Sequence, residues 1–116
     1  MDRIRLEIPN KAEYLSSLRL LVSWLLTTHG VDIETMEDIK IAVTECCNIS
    51  LQLNCKQVID IEFLLNDEDL EIQIGEICDE KIKEREDLYL STTIIDCLVD
   101  ESDIVDDKLI LKKHLK

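Results

Sequence analysis

The start of the chain alternates apolar and polar side chains with a period of two. Ile4, Leu6 and Ile8 fall on one side of the alternation over residues 3 to 8, and Pro9 ends it. Strict alternation is typical of a strand with one buried face, and proline cannot donate to a strand's hydrogen-bond ladder. The segment therefore predicts a half-buried strand.

The period next changes to that of a helix. Asn10, with Glu13 three residues later, is a candidate capping pair for the helix start. The apolar positions that follow recur at helical spacing up to His29 and Gly30, and they are Tyr14, Leu18, Leu21, Val22 and Leu25. We expect a long amphipathic helix that ends at the glycine.

A second helical pattern follows after a short turn. Asp32 is a favourable capping residue for its start, and the pattern fades at Leu53 and Asn54. The apolar stripe of this helix consists of Met36, Ile39, Val43, Cys46 and Cys47. Two helices are therefore expected in succession.

Two runs with a period of two come next. Their apolar positions are Ile59, Ile61, Phe63 and Leu65, then Leu70, Ile72 and Ile74. The polar residues 66 to 69 separate the runs, which predicts a hairpin.

The last third of the chain begins with residues 79 to 87, whose charge density indicates a solvated loop or a helix start. A third helical face and a closing strand follow, traced by Leu90, Ile94, Cys97 and Leu98, then by Leu109, Ile110 and Leu111. The predicted order is βααββαβ. Helices would cover one face of a largely antiparallel sheet, so the predicted fold class is an α+β two-layer sandwich.

The charge balance narrows the range of partners. The chain has 26 acidic and 13 basic side chains and a formal net charge of −13, a field that repels phosphate backbones and anionic membranes. No apolar run of about 18 residues and no signal-peptide pattern is found. With 116 residues, 46% of them hydrophobic, we expect one domain over residues 1–116, cytoplasmic, with no nucleic-acid or membrane partner.

The five cysteines show neither a C-x-x-C pair nor the ligand spacing of a zinc site. Cys46 and Cys47 are neighbours on a predicted helix, so their side chains point about 100 degrees apart and make a poor redox or metal pair. We expect buried, reduced thiols and no metal.

Three passages carry a family resemblance. They are residues 8 to 14 leading to 18 to 20, residues 37 to 47, and residues 88 to 90 leading through 94 to 96 to 99 to 101. With the predicted order of elements, they resemble the anti-sigma-factor serine kinases of bacterial partner-switching systems. The resemblance implies the histidine-kinase-like ATPase (Bergerat) fold.

The second helix is where the resemblance implies a catalytic base and a magnesium ligand. Glu45 corresponds to the base, but the magnesium asparagine falls on Ile49, a hydrocarbon that offers no oxygen to the ion. Asn48 is adjacent but turned about 100 degrees around the helix. We therefore interpret Glu45 as a relic.

The nucleotide loops depart from the family pattern as well. The adenine-binding aspartate and glycine correspond to Glu76 and Cys78, and the phosphate-binding glycines fall on the stretch from Arg85 to Asp87. Carboxylates there repel phosphate, and a cysteine adds a side chain where the backbone must approach the base. Only residues 79 to 84 remain for a lid, so the ATP lid is shortened or absent.

Two residues of the first helix are candidates for contacts. Arg19 resembles a family arginine that contacts the sigma factor or its antagonist, and it is the expected partner-binding residue. Trp24 is the single tryptophan, and a core position is favoured over an interface.

The leading hypothesis is a non-catalytic pseudokinase, related to the anti-sigma serine kinases, that regulates transcription by binding a sigma factor or an anti-anti-sigma protein without a cofactor. The resemblance also makes a homodimer an option. One alternative is an active ATP- and magnesium-dependent serine kinase in which Glu45, Asn48 and Glu76 replace the missing residues. Another is an interaction or oligomerisation module unconnected with transcription.

Overall fold

Five strands and four α-helices are found in the part of the chain that the structure, a computed structural model, describes: residues 1 to 75, 77 to 82 and 84 to 115. In chain order they are β1 (Asp2–Pro9), α1 (Leu15–Thr28), α2 (Ile33–Leu53), β2 (Val58–Leu65), β3 (Asp69–Gly75), α3 (Asp79–Ile82), α4 (Glu86–Leu98), β4 (Glu101–Val105) and β5 (Lys108–His114). A single 3-10 turn, Ala12–Tyr14, precedes α1. Within the described ranges, no helix combines the length and apolar character needed to cross a membrane.

The strands form one antiparallel sheet in the order β1-β2-β3-β5-β4. Apolar side chains on alternate positions line one face of the three central strands, and the buried ones are Ile59, Ile61, Phe63, Leu65, Leu70, Ile72, Ile74, Leu109 and Leu111. The helices bury their apolar sides in the same core. The predicted two-layer α+β sandwich is confirmed.

The predicted hairpin corresponds to β2 and β3. The side-chain oxygen of Asn66 accepts hydrogen bonds from the backbone N–H groups of Glu68 and Asp69, both at 2.8 Å. This closed turn favours asparagine, because its short side chain mimics a backbone carbonyl. The turn sets the register that pairs Ile61 with Ile74 across the hairpin.

Of the two predicted ends of α1, the glycine at its C-terminal end is confirmed and the asparagine cap at its N-terminal end is not. Gly30 has a φ of +70° and, with Val31, donates to the last carbonyls of α1, which is a Schellman end. Asn10, however, does not cap α1, because its side-chain oxygen accepts no hydrogen bond from the described residues, while its side-chain nitrogen donates to the carbonyls of Ser50 at 3.2 Å and Lys56 at 3.0 Å. That expectation was wrong, and Asn10 instead ties the end of β1 to the end of α2.

The predicted order βααββαβ is incomplete, because the structure adds α3 and β4. The strand β4 lies at the edge of the sheet, and its five residues alternate between exposed and half-buried positions. An edge strand with no buried side chain lacks the apolar alternation by which a strand is found in a sequence. The helix α3 is one turn long and lies in the charged stretch assigned to a loop or helix start.

The third predicted helix corresponds to α4, but the side of the helix that is buried is not the predicted one. Leu88 and Ile95 are buried against the core, whereas Leu90 is 62% exposed and Ile94 is 45% exposed. The apolar residues of α4 cover more than one side of the helix, so periodicity alone did not show which side packs against α2.

Candidate functional site

The positions that resemble the nucleotide site lie on three neighbouring parts of the fold. They are the second half of α2, the segment after β3 and the start of α4, which carry respectively Glu45 and Ile49, Cys78, and Arg85 and Asp87. The helices α2 and α4 pack against each other. Glu76 lies outside the residues that the structure describes.

Glu45 and Ile49 are one turn apart on α2 but differ in their surroundings. The side chain of Ile49 has 0% exposure and belongs to the hydrophobic core, whereas Glu45 and the adjacent Asn48 are half-buried. Magnesium takes oxygen ligands in a near-octahedral shell that includes several waters. A core hydrocarbon at the asparagine position supplies neither a ligand nor room for water, so the residues here do not fit the ion.

The cysteines fall into three environments, and the expectation of buried, reduced thiols was correct for two of them. Cys46 and Cys47 are free and buried; burial raises the pKa of the Cys46 thiol well above its ordinary value and the pKa of Cys47 to about 12. Both stay protonated and unreactive at neutral pH. Cys97 is free, as expected, but exposed, and Cys55 and Cys78 form a disulfide, so the expectation was wrong for the burial of Cys97 and for the redox state of Cys55 and Cys78.

The disulfide joins Cys55, two residues after the end of α2, to the segment after β3. The Cα atoms of Cys55 and Cys78 are 6.2 Å apart, within the range that a disulfide spans. The neighbouring Ile77 is buried, and its backbone N–H donates to the carbonyl of Asp107 at 2.8 Å. The position that resembles the adenine-site glycine is therefore bonded covalently to a neighbouring element.

Arg85 at the start of α4 is engaged on two sides. Its guanidinium donates to the carboxylate of Asp87 from Nε at 3.1 Å and from Nη2 at 2.6 Å. It also reaches Gln52 on the last turn of α2, where Nη2 lies 3.3 Å from the side-chain oxygen and Nη1 lies 3.5 Å from the carbonyl. Its hydrogen bonds to Asp87, and then its charge, lower the pKa of that exposed carboxyl group.

The start of α4 is therefore occupied by the protein's own carboxylate. Glu86 and Asp87 both lie in the first turn, and Arg85 holds the Asp87 carboxylate there through two hydrogen bonds. A helix start attracts one anion because its N–H groups are unpaired. An ionised Asp87 at this end opposes a phosphate by charge.

Arg19 lies on a separate helix, in an exposed strip of α1. Its Nη2 donates to the hydroxyl of Ser16 at 3.4 Å, and its exposed neighbours Leu20 and Trp24 are 73% and 65% accessible. Trp24 was expected in the core, and that was wrong, because α1 packs through the opposite side, which carries Leu18 and Val22. Sequence reasoning also missed Leu20. The sequence did contain a signal, because apolar residues occur on nearly all sides of α1. A helix that packs against one core needs an apolar stripe on one side only, so the additional apolar residues indicate an exposed contact surface.

In the described part of the chain, no group of three or more His, Cys, Asp or Glu side chains is arranged to hold a metal ion.

Comparison with known proteins finds serine-protein kinases among the relatives of the chain. No family model matches it. It is 34% identical over 79 residues to the serine-protein kinase RsbW of Listeria monocytogenes serotype 4a (strain HCC23), and that alignment covers 65% of this chain and 50% of the relative. It is 35% identical over 78 residues to the serine-protein kinase RsbW of Bacillus mycoides (strain KBAB4), covering 65% and 49%. The chain therefore spans about half the length of the curated relatives it matches.

A solved structure agrees with the fold. The crystal structure of the RsbU and RsbW domains of a Mycobacterium tuberculosis protein superposes with a TM-score of 0.71 at 12% sequence identity. The superposition covers 100% of this chain and 32% of that chain. At this identity the likeness speaks for the fold alone, and it confirms the architecture expected from the sequence.

Proposed function

We propose that this chain, a homologue of the RsbW serine-protein kinases, is a partner-switching regulator of transcription that works by binding protein instead of transferring phosphate. Its partner would be a sigma factor or an anti-anti-sigma protein. A regulator of this kind works in the cytoplasm, where bacterial transcription takes place. No cofactor enters the proposal.

The burial of Ile49 is the observation that carries the non-catalytic part of the proposal. This side chain is 0% exposed and stands one turn after Glu45, where the resemblance implies a magnesium ligand. A general base contributes to catalysis only when the substrate is held in reach. Without a metal ligand to hold a nucleotide beside Glu45, a hydroxyl group activated by this carboxylate would have no phosphoryl group within reach to attack.

The strip formed by Arg19, Leu20 and Trp24 is the surface that we assign to the partner. Arginine and tryptophan are enriched at the centres of protein interfaces, because each combines a large apolar area with a directed polar group. Arg19 is also the single charged residue within α1, in a chain whose net charge is −13. An acidic partner surface is therefore repelled less by α1 than by the rest of the protein.

Binding by this strip would act through occlusion. A partner segment covered by α1 is withheld from its own target, and no chemical step is needed. The proposal includes a homodimer, which the family resemblance implies. Two copies would present two such strips to a partner. Light scattering of the purified protein, alone and with its partner, measures both stoichiometries.

The test separates a binding protein from a working kinase. Thermal unfolding is followed with and without magnesium and ATP at millimolar concentration. A nucleotide at about one hundred times its dissociation constant stabilises a protein by about 2.7 kcal/mol, which raises the unfolding midpoint of a domain of this size by roughly ten degrees. We expect no shift, and a clear shift would favour the active kinase.

The binding arm uses the sigma factors and anti-anti-sigma proteins of the source bacterium, titrated in a calorimeter against the wild-type chain. We expect saturable binding to at least one of them, weakened by Arg19→Ala. If none of them binds, the proposal fails, and the alternative of an interaction module outside transcription is favoured.

A further inference from the structure

The segment that joins β3 to α4 is attached at both ends to the C-terminal end of α2. We call residues 78 to 85 the strap, of which the structure describes all but residue 83. At one end, Cys78 is bonded to Cys55, two residues after α2. At the other end, Arg85 hydrogen-bonds Gln52 in the last turn of α2.

The strap has a local structure of its own. The backbone N–H groups of Lys81, Glu84 and Arg85 donate to carbonyls three residues earlier, at 3.0, 3.3 and 3.1 Å. These bonds lie within the strap and survive if it moves as a unit. Its attachment to the rest of the fold rests on the disulfide, on Arg85 and on the buried side chain of Ile82.

The disulfide is accessible to a small reductant. Cys55 and Cys78 are both half-buried, and they line a cavity of about 400 Å³. The other side chains around the cavity are Lys56, Ile77, Glu80, Lys81 and Asp107. The paired cysteines therefore differ from Cys46 and Cys47, which burial keeps protonated and out of reach.

We propose that Cys55 and Cys78 form a reversible thiol–disulfide site that controls whether the strap is held on the end of α2. The chemical class that acts on it is a dithiol. One thiolate of the dithiol attacks a sulfur of the Cys55–Cys78 bond and forms a mixed disulfide, which the second thiol resolves. The two cysteines become thiols by taking up two electrons and two protons from the dithiol, which is itself oxidised to a cyclic disulfide.

Reduction leaves weak attachments behind. The disulfide closes a loop with a sequence separation of 23, whereas the Arg85 contacts are hydrogen bonds at a partly exposed site. Among the described residues of the strap, those bonds and the burial of Ile82 are what oppose its opening. The site would add a redox response to the chain, and it goes beyond the proposed function because a chain that bound no sigma factor would still carry it.

The experiment uses hydrogen–deuterium exchange read by mass spectrometry, on the full chain before and after dithiothreitol. Amide exchange in the strap is expected to rise at least about tenfold on reduction, because a disulfide typically contributes more than that factor. Exchange in α1 is expected to rise by a smaller factor, which reports the change in global stability and serves as the internal reference. Alkylation with iodoacetamide, followed by peptide mapping, checks that Cys97 reacts in both states and that Cys55 and Cys78 react only after reduction.

Variants supply the controls. Cys55→Ser is expected to show fast strap exchange without any reductant, and Cys97→Ser is expected to respond to dithiothreitol as the wild type does. If Cys55→Ser does not fold, the wild-type comparison still decides, since it needs no substitution. Neither readout involves a transcription partner, so failure here is distinct from failure of the proposed function.

Three results would overturn the inference. The first is alkylation of Cys55 and Cys78 in the untreated protein, since no disulfide would then be present. The second is a disulfide that dithiothreitol reduces only after denaturation. The third is strap exchange that does not change on reduction.

Discussion

Substitution of Ile49 by asparagine tests whether the magnesium position is part of the core. Full burial of an isoleucine side chain is worth about 1.5 to 3 kcal/mol, and Ile49 is fully buried. An amide buried without a partner costs about a further 1 to 3 kcal/mol. We therefore expect Ile49→Asn to lower the free energy of unfolding by about 3 to 5 kcal/mol, a large part of the stability of a typical domain.

The chain offers a matched control on the same helix. Ile41 lies two turns before Ile49 on α2 and is 46% exposed, so Ile41→Asn makes the same chemical change with the same helix propensity at the surface. Its cost is expected to stay within about 1 kcal/mol. The difference between the free energies of unfolding of the two variants therefore measures the effect of burial alone.

Urea denaturation followed by far-ultraviolet circular dichroism measures both variants, with the slope of the transition checked against the wild type. Equal stability of Ile49→Asn and Ile41→Asn would refute the reasoning, because Ile49 would then not fill a core position. The Ile49→Asn variant is also expected not to gain magnesium-ATP binding, since Cys78 stays bonded to Cys55 and Asp87 stays at the start of α4. A thermal shift with magnesium-ATP in this variant alone would contradict that.

The remaining predictions concern exposed residues. Trp24→Ala and Arg19→Ala are each expected to weaken partner binding at least about tenfold in calorimetry while changing the urea midpoint little, and equal loss of binding and stability would point to misfolding. Trp24 fluorescence is expected to be quenched readily by acrylamide, and full shielding would mean that α1 is covered. The hydrogen bond to Asp69 at 2.8 Å raises the pKa of His114, so this pair stabilises the fold at acidic pH and loses its effect as pH rises through that raised pKa. Asp69→Asn is expected to lower the pKa of His114 in an NMR titration, and an unchanged pKa would contradict the pairing.

Much of the fold could be predicted because periodicity reports burial directly. The runs from Ile59 to Leu65 and from Leu70 to Ile74 alternate apart from Leu64, and the polar residues between the two runs form the observed turn. The stripe of α2 was found for the same reason, since most of the apolar residues of that helix lie on its buried side and only a few, such as Ile41, are exposed. The side chains of β4 are at most half-buried, so its sequence lacks the alternation that predicts a strand. The apolar residues of α4 cover more than one side of the helix, so the pattern did not show which side is buried.

The sequence predicted which residue types stand at the candidate site, but it did not predict the contacts that they make. The absence of an oxygen ligand at Ile49 follows from its identity alone. The pairing of Arg85 with both Asp87 and Gln52 does not, because 33 residues separate Arg85 from Gln52 and nothing local signals their meeting. The role of Asn10 was missed in the same way, since its partners lie 40 and 46 residues later.

The sequence by itself determined the α+β class, the helix and strand periods, the strongly acidic charge and the residue types that stand at the nucleotide positions. These properties depend on side-chain chemistry and on neighbours within a few positions. Only the tertiary structure decided which side of α4 is buried, that Trp24 faces outward, and that Cys55 and Cys78 come within bonding distance. Those outcomes depend on how distant segments pack, and packing selects among apolar faces and cysteines that look equivalent along the chain.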